Sequence, residues 1–485
     1  MSIVLKPTLA APRFDALPPL ALYIHIPWCL KKCPYCDFNS HEGRGEVPEA
    51  RYVAALMSDL EFALPSIWGR RIVSAFLGGG TPSLFSPESI DAILAGVRAR
   101  VPILPDAEIT LEANPGTFER EKFAAFKAAG INRLSLGVQS FDARFLGALG
   151  RVHDEHEARE AALAALEIFG NVNLDLMYAL PGQSIADARA DVAAARHIAP
   201  PHVSFYHLTI EPNTLFHRHP PKLPDDELSA DIGDLVDAEL SASGYIHYET
   251  SAHARPGYEC RHNLNYWRFG DYLGIGAGAH SKISFPSRVV RQVRYKKPEQ
   301  YMERAEQGAP LLEEHEVPRA EIGFEFMLNA LRLADGVPVG LFRERTGFPL
   351  TLVEKELGEA EKRGLLERDH MNLRASPLGR RFLNDLQALF LPREHAAPYR
   401  SPAKIVAFDP PKKFVDELVK ATFKSMRHVH EFEERDGGTL MRDTLDWVSP
   451  LGILGVIADK IAVERHLRKF LTRKQRALKE IAERR

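Results

Sequence analysis

Cysteine is scarce in this chain, with four in 485 residues, and three of the four share one short stretch. An odd trio of neighbouring thiols speaks for metal or redox chemistry in a reducing compartment and against disulfide stapling. No apolar run approaches the roughly 20 residues that a membrane-spanning helix needs. The N-terminus (Met-Ser-Ile-Val-Leu-Lys-Pro) lacks the charged head, apolar core and small-residue cleavage site of an export signal. An excess of one charge is missing too: the net of −3 gives the chain no general pull toward nucleic acid. There is no internal repeat and no low-complexity tract. What is left, 45% hydrophobic and 26% charged residues, reads as a soluble, cytoplasmic globular protein of two or three domains.

The three clustered thiols are Cys29, Cys33 and Cys36, directly after the apolar run Ala21 to Ile26. A loop that compact can wrap one multinuclear metal centre. Three thiolates are one short of a closed tetrahedral zinc site or a fully ligated four-iron cluster, so one metal position stays open for something other than a cysteine. The competing reading is a structural zinc knuckle that recruits His25.

From residue 20 to 250 strand-like and helix-like segments alternate. Candidate strands are 22–26, 72–77, 108–112, 133–138, 172–177 and 202–208, with Ala-, Leu- and Glu-rich helices at 48–64, 89–100, 119–129, 155–169 and 185–195. Such alternation implies βαβ units on a parallel sheet. Six units are too few to close an eightfold barrel, so the expected fold is α/β, a partial (β/α)6 TIM-type barrel. The polar signals gather at the C-terminal strand ends: the cysteine loop, Gly78 to Ser83, Glu112, Gln139, Asp175 and His207. Chemistry in α/β barrels is built on that rim.

These residues, together with Tyr23, the run Gly137 to Phe141, Leu149 to Arg151 and Leu180 to Gly182, resemble the radical S-adenosylmethionine (SAM) superfamily. Within it the chain is similar to the branch of oxygen-independent coproporphyrinogen III oxidase, and most of all to the HemW heme-chaperone family. The resemblance implies a 4Fe–4S cluster on Cys29, Cys33 and Cys36, with SAM completing its fourth iron. It further implies SAM contacts from Tyr23, Tyr35, Gly79, Gly80, Thr81, Glu112, Gln139, Arg151 and Asp175. The glycines would let backbone approach the ligand, the carboxylates would take its ammonium and ribose hydroxyls, and Arg151 suits a carboxylate. Two departures from the oxidase shift weight to the chaperone: Phe38 stands where a fourth cysteine is expected, and Cys29 comes early.

The string His262-Asn-Leu-Asn-Tyr-Trp267 resembles a signature of that family linked to heme handling. It implies His262, Asn263, Tyr266 and Trp267 as heme contacts, an imidazole being a natural axial ligand and an indole a natural stacking partner. Cys260 reads as either a buried apolar residue or a heme thiolate. His280, after a Gly-rich loop, either faces the porphyrin side or caps a helix. The expected partners are heme and apo-hemoproteins of the membrane or respiratory chain. The alternative is an enzyme, coproporphyrinogen III dehydrogenase.

Along the chain the expected domains are the barrel at 18–250, an extension at 251–318, a helical, winged-helix-like domain at 319–392 and an α+β tail at 402–485. The tail reads as two or three strands and a long helix, and it resembles the second half of a START-like ligand-binding domain. Residues 464–485 hold nine Lys and Arg against three Glu around an apolar stripe. That pattern suits a solvated outer face over a buried inner one, or peripheral contact with an anionic membrane. A homodimer is compatible with the sequence.

Overall fold

The run Leu-Ala-Leu-Tyr-Ile-His-Ile forms the first strand, β1 (Leu20–Ile26), and every residue but Tyr23 is buried, as in a strand covered on both faces. The computed structural model describes residues 11–43, 45–117, 120–392, 403–409, 413–418, 425–435 and 438–448. It forms two units, Met1–Leu391 and Pro392–Arg485.

In the first unit β1 is followed by α1 (Glu49–Ala63), β2 (Ile72–Gly79), α2 (Pro87–Arg100), β3 (Ile103–Ala113) and α3 (Arg120–Ala129). Next come β4 (Arg133–Gln139), α4 (Glu155–Phe169), β5 (Val172–Tyr178), α5 (Ile185–Ile198), β6 (His202–His207) and α6 (Asp226–Ser241). Helix starts are set by side chains: Asp154 with Glu157, and Ser184 with Asp187, close capping boxes. Leu22, Ile24, Leu77, Leu111, Leu134 and Leu174 of the strands pack with Leu56, Leu94, Phe126 and Val192 of the helices in one core.

Beyond α6 lie β7 (Ile246–Glu249), β8 (Ala252–Ala254), α7 (Arg261–Trp267), β9 (Asp271–Ile275), β10 (His280–Phe285), β11 (Arg288–Arg294) and β12 (Leu311–Glu316). The sheet order is β12-β11-β10-β9-β1-β2-β3-β4-β5-β6-β8-β7. Neighbours from β9 through β6 are parallel. The parallel core therefore has seven strands where six were expected. The seventh, β9, pairs beside β1 with Leu20 opposite Asp271. Its short run, broken by Gly274 and followed by Gly276, carries little strand signal in sequence.

Residues 319–392 form a second core around Phe326, Phe342, Leu357 and Leu386, with helices at Arg319–Ala330, Leu341–Thr346 and Glu354–Lys362. Their wing is a three-stranded antiparallel sheet of Val337–Pro338, Asn372–Ala375 and Leu366–Arg368. The second unit shows four antiparallel strands, Ala403–Asp409, Lys413–Leu418, Ser425–Arg435 and Gly438–Val448, one more than the sequence suggested. The expected terminal helix, with its basic segment 464–485, lies outside the described residues. Among the described residues no helix is long and apolar enough to cross a membrane.

Candidate functional site

The loop after β1 is closed on itself by backbone. Residues Trp28–Cys29 pair in parallel with His41–Glu42, His41 N–H donates to the Pro27 carbonyl at 2.7 Å, and Cys36 N–H turns back to the Cys33 carbonyl at 3.2 Å. Within this closure Cys29, Cys33 and Cys36 are free thiols, each partly exposed. All three line one cavity of about 390 Å³, a size ordinary for small-molecule sites.

The end of β2 runs under the loop, where Gly80 N–H donates to the Ile26 carbonyl and Thr81 N–H to the Trp28 carbonyl, both at 2.8 Å. A Cβ on Gly80 would lie 2.4 Å from the Trp28 carbonyl oxygen. Gly79 has φ +120°, and a Cβ there would strike the His25 ring at 2.4 Å. Only glycine lets the two segments meet this closely.

Glu112, at the end of β3, accepts from Gly79 N–H at 2.9 Å. Burial pushes its carboxyl up to about 7; the Gly79 N–H opposes the rise, and the nearby Asp175 charge adds to it. Asp175, on β5, is also raised by burial, against hydrogen bonds from Ser135 and Asn173 at 2.8 Å each. A bulge between Gly137 and Gln139 leaves Gln139 at φ +71° and turns it into the cavity wall. Arg151 donates through Nη2 to the Gly137 carbonyl at 2.7 Å, and its Nη1 lies 3.6 Å from Cys33 Sγ. The Arg151 Nε is buried with no hydrogen-bond partner. Burial raises the Cys29 thiol, with a hydrogen bond from Thr81 working against it.

Tyr35, Gly79, Gly80, Thr81, Glu112, Gln139, Arg151 and Asp175 thus share the cavity with the three thiols. Tyr23 lies outside it, stacked on Phe76 at 6.3 Å, and lines a second cavity next door. The zinc-knuckle reading fails on His25. Its Nε2–H donates to the Asn39 carbonyl at 2.9 Å and its Nδ1 accepts from Tyr23 O–H at 3.0 Å, so both nitrogens are engaged away from the thiols.

The 260–267 segment packs against β2 and β3. His262 is buried, with Nδ1 3.0 Å from Ser74 Oγ of β2 and its backbone N–H on Glu108 of β3 at 3.0 Å. Burial lowers its imidazole to about 3. Cys260 is buried on Glu108, and desolvation pushes its thiol up to about 12. Cys260 and Asn263 line the inner end of the first cavity, and Tyr266 lines the second. Trp267 lies under the Arg332 guanidinium at 4.4 Å. The sequence reading missed Asn114, Arg133, Asn173, His202 and Ser204 on the first cavity. No motif marks them; strand alternation from the rim residues inward was the available signal.

A seven-strand open parallel barrel with three unpaired thiols on its first loop defines the radical SAM class. The family model described as Radical SAM superfamily matches residues 23–194, and that of the HemN C-terminal domain matches 317–382. The heme chaperone HemW of Escherichia coli is 48% identical over 77% of this chain and 99% of its own length. HemW of Haemophilus influenzae is 46% identical over 78% and 99%. The mitochondrial radical S-adenosyl methionine domain-containing protein 1 of Bos taurus is 35% identical over 79% and 90%. Coproporphyrinogen III oxidase (HemN) from E. coli superposes with a TM-score of 0.66 at 25% identity, over 77% of this chain and 90% of its own. This chain belongs to the HemW heme-chaperone family.

Membership of the radical SAM superfamily implies a 4Fe–4S cluster and SAM as cofactors. The residues present fit them. Three soft thiol donors converge on one cavity without pairing to each other, and the orphaned Arg151 Nε offers a donor on its wall.

Proposed function

We propose that this chain is a cytoplasmic heme chaperone that binds a 4Fe–4S cluster, SAM and heme and delivers the heme to apo-hemoproteins of the membrane or respiratory chain. The observation that carries this reading is the 48% identity to E. coli HemW across nearly the whole of that protein. The likeness to the oxidase is far lower in identity, and Phe38 in the position of its fourth cysteine speaks against the dehydrogenase alternative.

On this reading Cys29, Cys33 and Cys36 hold the cluster as thiolates, and their deprotonation accompanies its assembly. Glu112 would accept from the SAM amine, Asp175 would take the ribose hydroxyls, Gln139 would donate to its polar groups, and Arg151 would suit its carboxylate. The backbone of Gly79, Gly80, Thr81 and Tyr35 would contact the ligand, as would Tyr23. When bound, the pair supplies one-electron chemistry; the chain binds, orients and shields it. The tail would serve as part of a START-like ligand-binding sheet. Peripheral membrane contact and a homodimer complete the proposal, to be read by vesicle flotation and sedimentation.

The test is a heme titration of cluster-loaded protein, followed by mixing with an apo-cytochrome. Stoichiometric binding and transfer are expected. No heme binding, or conversion of coproporphyrinogen to protoporphyrinogen with SAM and reductant, would overturn the reading.

A further inference from the structure

The second cavity, about 720 Å³, opens beside the first and shares Cys36, Asp37, Phe38, Ser40, Gly79 and Glu112 with it. On its lining, Asn39 ties the cysteine loop to two distant segments. Its Nδ2 donates to the carbonyls of Ala277 and Lys296, each at 2.8 Å, and its Oδ1 lies 3.2 Å from His41 Nε2. Gly278 has φ +77°, and a Cβ there would stand 2.4 Å from Asn39 Nδ2, so glycine is what admits the bridge. Lys296, His280, Lys32 and Phe38 are among the residues that line the cavity.

His280 is exposed at the start of β10, and among the described residues its ring makes no hydrogen bond. Partial burial of the ring, with Lys296, Arg291 and Arg294 nearby, lowers its imidazole from the usual value. His41 differs, since its Nε2 is engaged by Asn39. Lys296 is exposed, while Lys32 is steered into place by the carbonyls of Phe38 and Ser40 at 3.1 and 3.2 Å. Phe38 is 62% exposed, an unusual state for a large aromatic ring, and Tyr266 and Tyr272 line the same cleft. One free imidazole, two ammonium groups and aromatic walls match the parts of heme: an iron, two propionates and an apolar macrocycle.

We infer that heme sits in this cleft, with His280 as its axial ligand, Lys296 and Lys32 facing its propionates, and Phe38 against the macrocycle. The inference rests on the heme-chaperone reading and moves the iron ligand away from His262, which is enclosed in the barrel and held by Ser74. It also places heme against the same wall as the cysteine loop, through Cys36 and Gly79.

The experiment titrates ferric heme, and separately iron-free protoporphyrin IX, into anaerobic cluster-loaded full-length protein, in wild type, His280→Ala and Lys296→Glu. Retained iron and sulfide content certifies each variant's fold. His280→Ala should weaken heme binding about tenfold or more and shift the Soret band, and added imidazole should restore the band. The same variant should bind the iron-free porphyrin as wild type does. Lys296→Glu, at an exposed site, should weaken both ligands and leave the Soret position alone. Wild type that binds no heme defeats the chaperone reading. Wild type that binds heme, with His280→Ala unchanged in affinity and spectrum, defeats this inference alone. Equal weakening of both porphyrins by His280→Ala would also overturn the axial assignment.

Discussion

With Glu112 as the proposed partner of the SAM amine, SAM binding should depend on pH in a way that one substitution removes. Its carboxyl rises from 4.5 to about 7, chiefly through burial. At 1.36 kcal/mol for each tenfold step in acidity, that is about 3 kcal/mol favouring the protonated form in the empty cavity. A SAM amine donating to Glu112 would favour the ionised form, so binding at acid pH would expel a proton. Between pH 6 and 7.5 the protonated share falls steeply, and linkage predicts a gain in SAM affinity of about eightfold from this group alone. Glu112→Gln keeps the hydrogen bond from Gly79 and loses the titration, so its slope should be flatter by that amount. The stability sign runs the other way. A raised folded value contributes stability that is whole below 4.5 and is lost as pH rises through about 7. The Gln variant without SAM should therefore melt higher than wild type at pH 8 and near it at pH 5. Isothermal titration with SAM and thermal melts across this range supply the data. Equal SAM slopes for the two proteins would refute the argument.

Replacing Cys29, Cys33 or Cys36 with Ala should abolish the brown chromophore and the bound iron, measured by absorbance and iron assay. Arg294→Leu strands Asp59, which is fully buried and accepts from Arg294 Nε at 3.2 Å, Tyr301 O–H at 2.8 Å and Gly276 N–H at 3.1 Å. The expected loss is about 3–5 kcal/mol, read from the urea midpoint. Gly278→Ala forces a left-handed residue to carry a Cβ and displaces Asn39. It should cost about 1–2 kcal/mol in backbone strain and weaken heme more than SAM, which paired titrations would show.

Much of the barrel was legible because buried parallel strands are continuous apolar runs and their rim residues follow directly in sequence. Glu112, Gln139 and Asp175 were found that way, each at the end of a strand whose neighbours place it beside the others. The seventh strand, Asp271–Ile275, was not, because two glycines dilute its pattern and its partner β1 lies some 250 residues earlier. The second cavity was hidden for a related reason. Asn39 and Ala277 stand 238 residues apart, and neither carries a motif that announces the contact. The string at 262–267 drew attention by its likeness to a family signature, yet sequence cannot tell that α7 turns His262 toward Ser74. That depends on Glu108 taking the His262 N–H, a tertiary contact.

The most direct measurement is iron, acid-labile sulfide and heme counted on a single anaerobic preparation after heme loading and gel filtration. Four cluster irons, four sulfides and one heme per chain are predicted, with the cluster lost and the heme retained when the three loop cysteines are changed. A preparation that carries zinc at the loop, or that takes up no heme while its cluster is intact, would contradict the account.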